Sequence, residues 1–170
     1  MKTQAAKVIA PTPSSETGTA AGSYLEALHL VERLHRRLLD VAKDEFDRKS
    51  RADINPVQAL LLYNIGDREV SAGQLRTRGY YLGSNVSYNL KKLVEGGYIH
   101  HERSESDRRS VLVRLTRKGE AVRDMLRELF DRHLNSLEAV GNVDVDHLDG
   151  LNTTLKRLER FWIDQVRFRL

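Results

Sequence analysis

The strongest constraint on the fold lies in one run, SNVSYNLKKLVEGGYIHHERSESDRRSVLVRLTRKG, from Ser84 to Gly119. Ser84 is placed to cap a helix that runs to Glu95, with Val86, Leu90, Leu93 and Val94 on one face. Gly96-Gly97 stops that helix, because glycine accepts the left-handed backbone of a helix end. Tyr98 to Arg103 and Ser110 to Leu115 then read as two short strands around the polar turn Ser104 to Arg109. Val111, Val113 and Leu115 alternate with Leu112 and Arg114, which predicts one buried and one partly wet face. Thr116 caps a further helix.

The flanking segments add helices. Met1 to Gly22 is rich in Ala, Thr, Ser, Gly and Pro and is expected to be a disordered N-terminal tail over residues 1–22. Ser23-x-x-Glu26 forms a capping-box pattern, and Leu25, Leu28, Val31, Leu34, Leu38 and Val41 recur at helical spacing, predicting one helix to about Lys49. Asn55-Pro56-x-Gln58 opens a second helix that ends near Gly66, and Ser71-x-x-Gln74 opens a third, short one that ends at Gly79. The helix from Thr116 carries Val122, Met125, Leu126, Leu129 and Leu137 and breaks at Gly141-Asn142. Asp144 can cap a last helix, in which Leu148, Leu151, Leu155, Leu158 and Trp162 follow steps of 3, 4, 3 and 4, a heptad seam.

The predicted fold is therefore mainly α with a small β-hairpin wing. It is a winged helix-turn-helix over residues 55–116, with a helical dimerisation layer drawn from both termini. That layer comprises a helix over residues 23–54 and two C-terminal helices over residues 117–170. The terminal helices carry more apolar surface than one small domain needs, and a homodimer accounts for it.

The total formal charge is only +4, but its placement is uneven. From Ser71 to Gly119 there are ten Lys/Arg against four Asp/Glu, a net of +6, which leaves −2 for the rest of the chain. Concentrated positive charge on a helix and a hairpin suits double-stranded DNA, with the helix in the major groove and the hairpin at an adjacent minor groove. The outward face of the helix offers Ser84, Asn85, Ser87, Tyr88, Lys91 and Lys92. Asn can pair with adenine in two places, hydroxyls can donate or accept, and the two lysines suit phosphates. In the hairpin, Arg109 suits a narrow minor groove and Asp107 can orient its guanidinium, while Arg103 and Arg108 suit the DNA backbone. A helical dimeric adaptor without sequence-specific DNA binding is the alternative, and the localised charge argues against it.

Other chemistries find little support. The chain has no cysteine, which excludes a disulfide, a thiol redox sensor and a Cys-ligated zinc site. It has no Gly-rich phosphate loop, no Gly-x-Ser-x-Gly elbow and no distinctive carboxylate pair, so no enzyme activity is expected. His100 and His101 are adjacent on a strand and point to opposite faces, and His29, His35, His133 and His147 lack the H-x-x-x-H spacing. No metal and no cofactor are expected. No apolar run approaches the roughly 18 residues of a membrane span, and the N-terminus lacks the apolar core of a signal peptide. The expected location is cytoplasmic, with the nucleoid, and without a membrane partner.

Ser84-Asn85-Val86-Ser87, Leu90, Leu93, Gly97-Tyr98-Ile99, Asp107-Arg108-Arg109-Ser110 and Leu115-Thr116-x-x-Gly119 resemble the MarR family of bacterial transcriptional regulators, and the family pattern covers roughly Ser23 to the C-terminus. Gly79 and Asn89 stand where that pattern is usually apolar, and Tyr80-Tyr81 is unusual before the reading helix. The resemblance implies a dimer of interleaved terminal helices on a pseudo-palindromic operator, with Arg109 the minor-groove arginine and Asp107 its partner. It also implies a small-molecule effector in a cleft between the dimer helices and the reading domain, near His35, Arg36, Phe46 and Tyr63. The segment Gly79-Tyr80-Tyr81-Leu82-Gly83 is similar to the alphaproteobacterial LdtR-type regulators, which implies cell-wall or stress genes as targets.

Overall fold

The computed structural model describes residues 19–51, 53–77, 83–103 and 111–168. Among these described residues, six helices and three strands follow one another: α1 (Ala20–Arg48), α2 (Pro56–Ile65), β1 (Val70–Ser71), α3 (Ala72–Thr77), α4 (Gly83–Glu95), β2 (Ile99–Arg103), β3 (Val111–Leu115), α5 (Arg117–Gly141) and α6 (Val145–Phe168). The strands form one antiparallel sheet in the order β1-β3-β2. This is a winged helix with long helices before and after it.

Local caps set most of the boundaries. Asn55 and Gln58 exchange side-chain to backbone hydrogen bonds of 2.9 and 3.2 Å at the start of α2, with Pro56 in the first turn. Ser71 and Gln74 make the same reciprocal pair, 3.0 and 2.8 Å, at the start of α3. At the end of α4, Gly97 has φ +71°, its amide donates to the Val94 carbonyl, and the Tyr98 amide donates to the Leu93 carbonyl. This is the paired closure that glycine makes possible. Asn142 is left-handed after α5, and the Asp144 side chain accepts from the His147 amide at 2.9 Å to open α6.

Three expectations are corrected. Helix α1 begins at Ala20 rather than at Ser23, because the Thr19 hydroxyl accepts from the Gly22 amide at 3.1 Å and caps one turn earlier; residues 20–22 are thus helical rather than tail. Residues 1–18 lie outside the described residues. Helix α4 begins at Gly83, so Ser84 lies inside its first turn and is not its cap. On α4 the buried face takes Val86, Leu90 and Leu93 but not Val94, which is 39% exposed, while Asn89 is only 8% exposed. On a helical wheel Asn89 falls nearer the centre of the Val86–Leu93 arc than Val94 does. Strand β1 had no counterpart in the sequence reading. Two residues are too few to show alternation, and Val70 becomes a strand residue only by pairing with Val113.

The core gathers Leu61 and Leu62 of α2, Leu75 of α3, Val86 and Leu93 of α4, Val113 of β3, and Val122, Leu126 and Leu129 of α5. Two ion-pair clusters anchor α5 to its neighbours. The buried Arg123 guanidinium pairs with Asp67 and, at 2.9 Å, with Asp124; Arg127 also reaches Asp67 at 3.5 Å. Glu45, only 3% exposed, bridges Arg48 at 3.3 Å and Arg132 at 2.9 Å, linking α1 to α5. Both buried charges among the described residues, Glu45 and Arg123, are thus paired, as burial demands.

Burial along α1 begins only at Ala42, and no residue of α6 is buried. Leu148, Leu151, Leu155, Leu158 and Trp162 form an apolar seam that the single chain leaves largely uncovered. The Trp162 indole donates to the Tyr24 hydroxyl at 3.2 Å, and an apolar groove of about 880 Å³ runs between Val31 and the α6 residues Leu155, Leu158, Trp162, Ile163 and Val166.

A polar knot joins the loop before α2, the end of α4, β2 and the start of α5. Tyr98 donates its hydroxyl to Asp53. Lys118 lies 4.1 Å from the Tyr98 ring centroid, 3.3 Å from the Asp53 carboxylate and 3.1 Å from the Gly96 carbonyl. Arg51 reaches Asp53 at 3.3 Å. The Tyr98 hydroxyl above all, then Lys118 and Arg51, pushes the Asp53 carboxyl down to about 2 against the opposing effect of its partial burial. A carboxyl lowered in the folded state contributes stability above its unfolded value, about 4, and loses that contribution as the pH falls toward about 2. Asp53→Asn should therefore lower the melting temperature at neutral pH and lose less than the parent protein between about pH 4 and pH 2. Thermal unfolding followed by circular dichroism across that range checks it; equal acid sensitivity in the two proteins would show that the knot does not contribute.

Candidate nucleic-acid interface

Helices α3 and α4 form the helix-turn-helix, and their packing aims one face of α4 outward. Burial of Val86, Asn89, Leu90 and Leu93 leaves Ser87, Tyr88, Lys91 and Lys92 on the exposed side. Tyr88 is 61% exposed. Ser84 and Asn85 occupy the first turn of α4, where backbone amides have no partners within the helix. Their side chains are not among the described residues.

The two lysines are not independent. Lys92 Nζ is 2.9 Å from Glu95 Oε2, and Lys91 Nζ is 3.9 Å from Glu95 Oε1. Glu95 holds the Lys92 ammonium above its usual range by a hydrogen bond and by charge, and is itself lowered by Lys92 in the same two ways. The role of Glu95 does not stand out from the sequence as the two lysines do. Its spacing of three and four residues was the available signal.

In the wing, the register pairs Ile99 with Leu115, His101 with Val113 and Arg103 with Val111, so Ile99, His101, Val111, Val113 and Leu115 share one face. His101 and Val111 turn toward α4 and line a groove of about 510 Å³ with Ser87, Leu90, Lys91, Val94 and Glu95. The opposite face carries His100, Glu102 and Arg114, with Arg114 and Glu102 at 3.5 Å. The two histidines thus lie on opposite faces. Arg103 is the last residue of β2, at the end of the strand nearest the tip. The tip itself, with Asp107, Arg108 and Arg109, lies outside the described residues.

The four residues expected near an effector divide within one chain: Phe46 and Tyr63 belong to the core region, and His35 and Arg36 lie apart from it. Phe46 is buried in the core, and Tyr63 stands edge-on to Phe130 with centroids 5.0 Å apart. His35 and Arg36 are exposed on α1, roughly 15 Å along the helix from Phe46. Arg36 pairs with Glu32 at 3.1 Å and borders a cavity of about 410 Å³ with Arg33, Arg37, Leu39 and Asp40. Among the described residues, no group of three or more His, Asp or Glu is placed to hold a metal ion, and no helix is long and apolar enough to cross a membrane.

This architecture, a basic helix-turn-helix flanked by a hairpin, is that of a DNA-binding regulator of transcription. The winged helix DNA-binding domain family matches residues 54–119. The whole chain is similar to the exopolysaccharide II synthesis transcriptional activator ExpG of Rhizobium meliloti (strain 1021): 34% identical, over 98% of this chain and 86% of ExpG. Among solved structures, AbsC, a MarR family transcriptional regulator from Streptomyces coelicolor, superposes with a TM-score of 0.64 at 18% identity, over 86% of this chain and 97% of AbsC. FabT from Streptococcus pneumoniae, solved in complex with DNA, superposes with a TM-score of 0.60 at 21% identity, over 83% of this chain and 98% of FabT. The chain belongs to the MarR family of winged helix-turn-helix transcriptional regulators. A regulator with a DNA-binding domain displaces the adaptor alternative.

Proposed function

We propose that the chain acts as a homodimer that binds a pseudo-palindromic operator and responds to a small-molecule effector. The observation that carries the dimer is the uncovered apolar surface of α6 and of α1 before Ala42. Val166 is 81% exposed, and Leu25, Leu34, Leu151, Phe161 and Ile163 are each at least half-exposed or close to it. Monomers rarely carry contiguous apolar patches of this extent, and a heptad seam is suited to a second helix. In a two-fold dimer, the two α4 helices enter successive major grooves about 34–36 Å apart.

Within each half-site, Ser84, Asn85, Ser87 and Tyr88 face the bases, and Lys91 and Lys92 face phosphates. Arg109 enters the minor groove, oriented by Asp107, with Arg103 and Arg108 on the backbone. The charge concentrated between Ser71 and Gly119 supports this assignment. Helix α5 supports the response to an effector, because it runs unbroken from the wing at Thr116 to α6. A ligand between the terminal helices and the reading domain, toward His35, Arg36, Phe46 and Tyr63, would change the separation of the two α4 helices. It acts only if it binds one separation better than the other. We assign the regulated genes to the cell envelope. ExpG is named for exopolysaccharide synthesis, and the LdtR-type resemblance points to cell-wall or stress genes.

Sequencing the DNA bound by this protein in cells gives the operator and the regulated genes together; an absence of enriched promoter sites would contradict the reading. With that operator, Arg109→Ala should reduce affinity on the order of tenfold or more while the dimer and fold survive. Lys91→Ala should weaken all duplexes alike and reduce the salt slope by about one. Replacing Leu151 and Leu155 together by Ala should dissociate or unfold the dimer, read by light scattering; an unchanged dimer would refute the α6 seam. A compound screen that leaves operator affinity unchanged would refute the effector.

A further inference from the structure

We propose that Glu95 is an intramolecular competitor for the DNA backbone, which holds Lys91 and Lys92 in the free protein and limits binding to duplex DNA of arbitrary sequence. The inference rests on the reading of α4 as the DNA-facing helix and adds a specificity-determining residue to it.

Helix stability does not account for Glu95. It is the last residue of α4, where the partial negative charge of the helix end disfavours a carboxylate. Its pair with Lys91 runs Lys to Glu over four residues, the less favourable order for a helix. Its geometry instead suits neutralisation. One oxygen takes Lys92 at 2.9 Å and the other faces Lys91 at 3.9 Å, so one carboxylate occupies both cations of the helix's second half. Glu95 also lines the groove between α4 and the wing, beside Lys91 and His101, and so stands on the face that approaches DNA.

Two consequences follow from charge alone. A phosphate must displace Glu95 from each lysine or share the lysine with it, and Glu95 itself repels the backbone. Both effects weaken contacts that carry no sequence information. Base contacts made by the first half of α4 are not touched. Glu95 therefore lowers binding to random DNA more than binding to a site that the helix reads, which widens the difference between them.

The test measures binding of the full-length protein to a fluorescent duplex of random sequence by anisotropy, over a range of potassium chloride concentrations. Glu95→Gln should tighten binding on the order of five- to tenfold at low salt and steepen the salt slope by about one. The same substitution in a Lys91→Ala/Lys92→Ala background should give a much smaller gain, because the cations it releases are absent. Glu138→Gln, on the exposed surface of α5, controls for net charge. Circular dichroism of each variant verifies the fold. A Glu95→Gln gain no larger than that of Glu138→Gln, or one that persists in full without the lysines, overturns the proposal. If the parent protein itself shows no salt-dependent binding to duplex, the assignment of α4 to DNA fails instead, and this inference with it.

Discussion

The approach of α5 to the Tyr98 carbonyl is the contact on which the wing, the reading helix and the long helices all depend. A Cβ at Gly119 would lie 2.2 Å from that carbonyl oxygen, so the first turn of α5 can sit against the start of β2 only because residue 119 has no side chain. Thr116 completes the joint. Its amide donates to the Tyr98 carbonyl at 3.0 Å, and its hydroxyl donates to the Gly97 and Tyr98 carbonyls at 2.8 and 3.1 Å and accepts from the Gly119 amide at 3.2 Å. Tyr98 is at the same time the residue whose amide closes α4 and whose hydroxyl meets Asp53. One short stretch thus fixes the exit of the reading helix, the root of the wing and the start of α5.

Beyond that joint, α5 is fastened by Arg123 to Asp67, in the loop after α2, and by Arg132 to Glu45 of α1. Its far end leads into α6, whose apolar face is uncovered in the single chain. The same economy of charge recurs on α4, where a single carboxylate tempers two lysines.

Much of this was legible beforehand because it is local. The Asn55–Gln58 and Ser71–Gln74 boxes, the Gly96-Gly97 stop and the Thr116 cap each involve residues within a few positions of one another, so their chemistry is visible in the order of residues alone. Where several residues compete for one local role, the order of residues does not decide between them. Thr19 and Ser23 are both competent caps, and choosing between them required knowing which turn was formed. Val94 and Asn89 lie on either flank of one apolar arc, and their burial was decided by where α4 meets its neighbours. The candidate DNA contacts on α4 were visible as an outward polar face; the restraint by Glu95 was visible only as spacing.

By itself, the sequence determined the number and order of the helices, the hairpin, the concentration of positive charge on both, and the membership of a family of transcriptional regulators. Each of these depends on periodicity, capping or composition, which short-range sterics and hydrogen bonding impose. Only the tertiary structure decided that Val70 joins the wing sheet, that Asp53 and Lys118 meet at Tyr98 across 45 and 20 positions of chain, and that Glu45 is buried against Arg132. Those outcomes come from burial and from partners distant in sequence, and no local rule specifies which distant residue will arrive.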